Sequence, residues 1–159
     1  MMVIPGYLAK AYLKNLIDEE LQIQPAGIDL TVNKIFKIVG KGLIGLRERR
    51  LPQYEELHPV NNIWQLKKGA YKVVVNEIIE VPVDAIAMCF PRSSLLRMGV
   101  DVRCALWDPG YYGRSEVLLL VHSENVILEK NARIAQLIFI KLLEKPTKIY
   151  DGRYKGENL

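Results

Sequence analysis

From residue 28 onward, the chain is a succession of short segments rich in Val, Ile and Leu, separated by glycine, proline and polar residues. β-Branched residues favour strands, and many short strands at close spacing are typical of a barrel or a sandwich. The pattern predicts strands at 28–39, 63–66, 70–75, 77–81, 85–90, 99–107, 114–122, 126–129 and 134–143. The sequence therefore predicts a mainly β fold.

Three segments depart from this pattern. Residues 7–20 set leucines on one helical stripe and predict an amphipathic N-terminal helix. Residues 41–62 carry many charges and two prolines, which predicts a long loop or an irregular insertion. Residues 146–159 are polar and predict either a frayed end or an arm that folds over something. At this length we expect a single domain, 1–159.

Composition excludes some classes of partner. The chain is 50% hydrophobic and 25% charged, which is typical of a globular protein. Its net charge of +4 is spread along the chain, so no nucleic-acid partner is expected. No apolar stretch is long enough to span a bilayer, so no membrane association is expected. Cys89 and Cys104 lie outside any CxxC or His-rich cluster, which favours free thiols and a cytoplasmic location.

Two stretches carry side chains suited to phosphate chemistry or proton transfer. PRSSLLR at 91–97 combines two arginines with two serines, which suits phosphate oxygens, although a surface turn with solvated arginines has the same composition. Asp108 precedes Pro-Gly, as in a type II turn. Its carboxylate therefore either bonds its own turn amides or lies at the rim of a pocket, where burial can tune its pKa.

Two further polar sites interrupt apolar strands. Arg133 and Gln136 lie within ARIAQLI, where a snorkelling arginine in a core strand is the simpler interpretation. Asp29 follows a Pro-Ala-Gly turn at the start of a strand, which favours a structural role. Taken singly, none of these residues identifies a function.

The order of these stretches is more informative than any one of them. QPAGIDL, PRSSLLRMG, DPGYYG, ARIAQL and YDGRYKGE occur in that order, at spacings that resemble the successive motifs of the dCTP deaminase and dUTPase superfamily. The resemblance covers most of the chain and is strongest to the archaeal dUTPase branch of the dCTP deaminase family. It implies a distorted β-barrel of the β-clip type and a homotrimer with active sites shared between neighbouring subunits.

The resemblance also implies a ligand and roles for particular residues. The ligand is a deoxynucleoside triphosphate such as dUTP, with Mg²⁺ carried on its phosphates and no direct side-chain ligand to the metal. Asp108 stands where an acid contacts the sugar and activates water, and Tyr111 stands where an aromatic ring packs under the deoxyribose. Backbone groups near 102–106 would read the base. The phosphate-binding positions, which include the catalytic Arg97, are Arg92, Ser93, Ser94, Arg97 and Gln136.

In the tail, the resemblance assigns an arm at 146–159 that closes over the nucleotide. Tyr150, Arg153 and Glu157 match residues of that arm, although Glu157 stands where an amide is common in the deaminases. These three residues are therefore expected to contact substrate.

One position separates the two chemistries of the family. Its deaminases carry a glutamate five residues after the motif glycine, and counting from Gly113 reaches Leu118. Leucine cannot transfer protons, so we expect dUTP hydrolysis rather than ring deamination. Glu116 lies on the same strand face, about 6–7 Å away, and would substitute only if a bulge shifted the register. A dCTP deaminase, a bifunctional enzyme and a non-catalytic nucleotide-binding protein remain alternatives.

Overall fold

A computed structural model describes residues 2–159. Its strands are β1 (Met2–Ile4), β2 (Leu13–Lys14), β3 (Ile23–Gln24), β4 (Gly27–Val39), β5 (Leu43–Ile44), β6 (Arg49–Arg50), β7 (Gln53–Leu57), β8 (Ile63–Glu80), β9 (Ala85–Pro91), β10 (Val100–Arg103), β11 (Tyr112–Glu129) and β12 (Arg133–Lys141). Its helices are α1 (Gly6–Ala9), α2 (Glu19–Gln22) and α3 (Ser93–Arg97), with a 3₁₀ turn at Lys10–Tyr12. The predicted mainly β fold is confirmed.

One antiparallel sheet dominates the molecule. Its strand order is β1-β12-β4-β8-β11-β10, and β2, β3, β7 and β9 pair along its sides. The first part of β4, 28–31, pairs with β12, whereas 32–37 pairs with β8. Because β4 pairs with β12 along its first part and with β8 along its second, it joins two parts of the sheet, which curls into an open barrel around one core.

The core follows from the alternation of side chains along these strands. In β11 the buried positions are every second residue from Gly113 to Val121, and Ser115 is the polar member of that inward row. β4 departs from alternation, because all residues from 27 to 32 are buried. Its outer face is covered by the α2 segment, so Asp29 and Thr31 are buried without belonging to the apolar core.

The predicted N-terminal helix is present, but its predicted extent of 7–20 is wrong. α1 ends at Ala9, the 3₁₀ turn follows, and Leu13 then enters a strand paired with β8. Asn15 has a φ of 62°, which is incompatible with a continuing helix. The apolar stripe does not form one helical face, since Leu13 is buried in sheet pairing whereas Leu8 is 50% exposed.

Two long strands replace five predicted ones. The segments 63–66, 70–75 and 77–81 form the single strand β8, and 114–122 with 126–129 form β11. The two strands pair along nearly their whole lengths. The polar residues that were predicted to separate shorter strands therefore lie within this pairing. Those interruptions are therefore irregularities inside strands rather than turns between them.

Two other segments differ from the predictions. The strand predicted at 99–107 ends at Arg103, after which Trp107 forms only an isolated bridge with Ala87. The predicted loop at 41–62 contains the β5–β6 hairpin and β7, which pairs with the outer part of β4. No helix within residues 2–159 is long and apolar enough to cross a membrane.

Candidate functional site

The residues predicted to bind phosphates lie together at the end of β9. Arg92 follows the strand, and α3 carries Ser93, Ser94 and Arg97, all three exposed. Arg97 Nη1 donates to the Ser93 carbonyl at 3.1 Å. Gln136 of β12 pairs with Phe90 in register, two residues before Arg92, so the sheet brings Gln136 beside the others.

A buried carboxylate holds Arg92 in this group. Asp29 is 2% exposed, and its Oδ2 lies 3.2 Å from both Arg92 Nε and Arg133 Nη1. Burial raises the pKa of Asp29, and the two guanidinium groups lower it part of the way back. Arg133 also donates to the Leu21 carbonyl, so it is ion-paired rather than snorkelling. These partners lie in three separate motifs, which is why local sequence patterns did not reveal them.

A second group of predicted residues surrounds a cavity of about 270 Å³. The cavity is lined mainly by aromatic and acidic side chains from the Asp108 turn, the start of β11, the tail and β7, namely Leu51, Tyr54, Ala105, Leu106, Trp107, Asp108, Tyr111, Ser115, Glu116, Tyr150, Tyr154 and Glu157. Of the predicted site residues, it brings together Asp108, Tyr111, Tyr150 and Glu157.

Asp108 sits in the turn that its sequence predicts. The Tyr111 amide donates to the Asp108 carbonyl at 3.1 Å, and Gly110 has a φ of 84°, as a type II turn requires. Asp108 is exposed, and its carboxylate makes no hydrogen bond with any other residue in 2–159. The alternative, in which it bonds its own turn amides, is therefore not what the structure contains.

Hydrogen bonds fix the side chains beneath the cavity. Trp107 Nε1 donates to Ser115 Oγ at 2.6 Å, and the Ser115 hydroxyl lies beside that of Tyr111. The Tyr111 hydroxyl in turn donates to Glu157 Oε1 at 2.7 Å. Burial raises the pKa of Tyr111 and also that of Glu157. Sequence analysis missed Trp107 and Ser115, although a lone serine on the inward face of an apolar strand was an available signal.

The predicted arm packs over its own chain. The Tyr150 amide donates to the Pro109 carbonyl at 2.7 Å, and the Gly156 amide donates to the Tyr112 carbonyl at 2.6 Å. The Tyr150 ring centroid lies 5.8 Å from that of Tyr111. Arg153 is exposed and does not line the cavity.

The two groups do not meet within one chain. The cavity lining contains none of the residues predicted to bind phosphates, which cluster around Asp29 and α3. Among residues 2–159, no three His, Cys, Asp or Glu side chains are grouped to hold a metal ion. A single chain thus presents a cavity with acids and aromatic rings, and a separate surface with arginines and hydroxyls.

The strand after Asp108 has no bulge of its own: at the irregularity beside Glu116 the extra residues, 75–77, belong to β8, and burial along β11 alternates without a break. The pairing of β11 with β8 shifts register between Arg114 and Glu116. Glu116 lines the cavity, whereas Leu118, which pairs with Lys72 and with Arg103, does not. The strand thus presents one carboxylate to the cavity, that of Glu116, although position 118 holds the expected leucine.

Comparison with known proteins places this geometry in context. A family model described as dCTP deaminase-like matches residues 8–142. A protein of Methanocaldococcus jannaschii named deoxyuridine 5′-triphosphate nucleotidohydrolase is 42% identical over 159 residues, covering 98% of this chain and 99% of that one. A protein of Archaeoglobus fulgidus named as a probable enzyme of the same kind is 42% identical over 150 residues, covering 92% and 88%.

Among solved structures, the fold is similar to that of 2′-deoxycytidine 5′-triphosphate deaminase from Agrobacterium tumefaciens. The TM-score is 0.68 at 20% sequence identity, and the match covers 86% of this chain. It covers 47% of the deaminase, so this chain spans about half the length of that structure. At this identity the likeness concerns the fold, and it agrees with the predicted dUTPase-like barrel.

Proposed function

The chain belongs to the dCTP deaminase-like family, and from this premise we propose that it hydrolyses dUTP to dUMP and pyrophosphate. The observation that carries the proposal is the end-to-end similarity to the M. jannaschii protein named for that activity. The free carboxylate of Asp108, beside a cavity of about 270 Å³ lined by aromatic and acidic side chains, gives the proposal its chemistry. We assign the whole chain to one catalytic domain of a cytoplasmic enzyme.

In this proposal Asp108 orients and deprotonates a water molecule. The water oxygen forms a bond to the α-phosphorus, the bond from that phosphorus to the bridging oxygen breaks, and pyrophosphate leaves. Tyr111, held by Glu157 and Ser115, supports the deoxyribose, and backbone groups near 102–106, a stretch that lines the cavity at 105–106, read the base. Tyr150, Arg153 and Glu157 of the arm enclose the nucleotide, which excludes bulk water from the reacting atoms.

Arg92 and Arg97, with Ser93, Ser94 and Gln136, bind the triphosphate and stabilise the charge that develops in the transition state. The separation of these residues from the cavity supports a homotrimer in which one subunit supplies the phosphate-binding surface and its neighbour the cavity. Light scattering should then give three times the mass of one chain, and a monomer with full activity would contradict the shared site.

Mg²⁺ suits the donors that the chain offers. The described residues hold no cluster of three metal-ligating side chains, and Mg²⁺ commonly binds through substrate phosphates and water rather than in an all-protein cage. When bound, the ion would neutralise phosphate charge and polarise the α-phosphoryl group. The residues of this chain then need only bind the phosphates. Arg97 of α3 and Arg92 at its N-cap are positioned to do so.

Glu116 favours a second candidate, a dCTP deaminase or a bifunctional enzyme, because its carboxylate lines the cavity. The deciding experiment incubates the protein with dUTP or with dCTP in the presence of Mg²⁺ and measures pyrophosphate and ammonia separately. We expect pyrophosphate from dUTP and no ammonia from dCTP. Ammonia from dCTP would support the deaminase, and binding without either product would support a nucleotide-binding protein.

The role of Asp108 has its own test. Asp108→Asn keeps the turn and the size of the side chain but cannot accept a proton, so turnover of dUTP should fall by a factor on the order of 10² to 10⁴. Binding of dUTP, measured by calorimetry, should be retained. A variant with wild-type turnover would remove Asp108 from the water-activating role.

A further inference from the structure

Glu116 has two partners that a proton-transferring acid would not need. Its Oε1 lies 2.8 Å from Lys72 Nζ of β8 and 3.3 Å from Asn158 Nδ2 near the end of the arm. The side chains of Lys72 and Glu116 are 17% and 30% exposed, so this ion pair is largely sheltered from solvent. It therefore joins β8, β11 and the arm at one carboxylate oxygen.

Lys72 is itself held in a fixed position. Its Nζ lies 4.5 Å from the ring centroid of Phe36 and 4.1 Å from that of Tyr54, within the range of cation–π attraction. Tyr54 also lines the cavity. Two aromatic faces and one carboxylate thus enclose the ammonium group, which leaves the Glu116 carboxylate compensated in charge and restricted in orientation.

The end of the arm forms the second half of this arrangement, next to the register shift between β8 and β11. The Asn158 side-chain amide donates to the Arg114 carbonyl at 3.0 Å as well as to Glu116, so it bridges the two sides of the register shift. Arg114 Nη1 returns a hydrogen bond to the Asn158 carbonyl at 3.1 Å, and the Arg114 amide donates to the Glu157 carbonyl at 3.0 Å. The end of the arm is therefore bound on both sides of Arg114.

From these contacts we infer that Glu116 is a positioning residue: the Lys72–Glu116 pair receives Asn158 and so docks the arm over the cavity. Docking Asn158 sets the position of its neighbour Glu157, whose carboxylate accepts from Tyr111. Glu116 acts through the arm and does not exchange protons with the base. The kinetic part of this inference rests on the proposed function, whereas the docking itself does not.

Proteolysis tests the docking without any nucleotide. The arm contains three exposed tryptic sites, Lys148, Arg153 and Lys155, and trypsin cleaves such sites in proportion to the time that the arm is open. Asn158→Ala, which removes an exposed side chain and leaves the core intact, should speed loss of the C-terminal peptide about 5- to 10-fold by intact-mass analysis. Glu116→Ala should act similarly, and the double variant should be no faster than the faster single one.

Matched variants separate docking from general charge effects. Glu55→Gln changes an exposed glutamate of β7 and should leave the cleavage rate unchanged. Glu116→Gln retains an oxygen that can accept from Asn158, so its cleavage rate should lie between those of wild type and Glu116→Ala. Wild-type cleavage rates in both Asn158→Ala and Glu116→Ala would overturn the inference, whatever the protein does to dUTP.

Kinetics distinguish positioning from proton transfer. If the arm is docked through Glu116, Asn158→Ala should raise the KM for dUTP about fivefold and leave kcat within about twofold of wild type. If Glu116 instead shuttles protons, wild-type protein should release ammonia from dCTP, and Glu116→Gln should abolish that release without affecting arm cleavage. The second pattern contradicts the inference directly.

Discussion

Ser115 offers the sharpest test of how the cavity is built. Its Oγ accepts the hydrogen bond of Trp107 Nε1 at 2.6 Å, and the two residues are 3% and 5% exposed. Ser115→Ala removes one oxygen and adds no bulk, so the change acts almost wholly through hydrogen bonding. The indole N–H then loses its acceptor while remaining enclosed.

A buried donor without a partner costs about 1–3 kcal/mol in free energy of unfolding. Both side chains also line the cavity, so water can reach the vacated position and reduce the loss. We therefore expect about 1–2 kcal/mol, which in a chain of this size lowers Tm by roughly 2–8 °C. Trp107 directly precedes Asp108, so dUTP turnover should decline as well.

A double-mutant cycle isolates the bond from other effects. Trp107→Phe removes the donor and some indole volume, and Trp107→Phe combined with Ser115→Ala removes both partners. Thermal or urea unfolding of all four proteins should show the double variant about 1 kcal/mol more stable than the sum of the single losses predicts. Ser123→Ala is the matched control, because its Oγ donates to the Met98 carbonyl at a solvent-accessible position. Additive losses in the cycle would refute the assigned bond.

Two further variants test buried carboxylates. Asp29→Asn removes the charge that holds Arg92 and Arg133, so the KM for dUTP should rise about tenfold in steady-state assays. An unchanged KM would show that Arg92 needs no anchor. Glu77 accepts three hydrogen bonds from Thr31 and Gln22, and burial raises its pKa. The stability that protonated Glu77 contributes is therefore present at acidic pH and lost as pH rises through the raised pKa, so the urea midpoint of wild type should fall with increasing pH relative to that of Glu77→Gln, which has no titrating group there.

The parts of the fold that sequence predicted well are those decided locally. The strand at 28–39 is β-branched and bounded by glycine, and the structure forms it as Gly27–Val39. The Asp108 turn was predicted from Asp-Pro-Gly and has the required positive φ at Gly110. In both places the residue types restrict the backbone, so no distant partner is needed for the prediction.

Distant pairing decided the rest. Residues 67–69 and the Glu124-Asn125 pair have the composition of turns, yet both lie inside long strands because β8 and β11 face each other there. Asp29, Arg92 and Arg133 form one cluster although no local pattern links them. Single-sequence patterns record what a segment prefers, whereas these features depend on which segment lies opposite.

The proposed role of Glu116 also depends on a partner from a distant strand, Lys72. Counting from Gly113 to Leu118 holds, because β11 alternates regularly there and the register shift beside Glu116 adds residues to β8 rather than to β11. An acid, Glu116, nevertheless lines the cavity although position 118 is leucine, so the leucine alone does not separate hydrolysis from deamination. The stronger argument is the ammonium of Lys72, 44 residues away in sequence, which binds the carboxylate and leaves it to hold the arm. On this reasoning, the proposed restriction to phosphate chemistry depends on Lys72 as much as on Leu118.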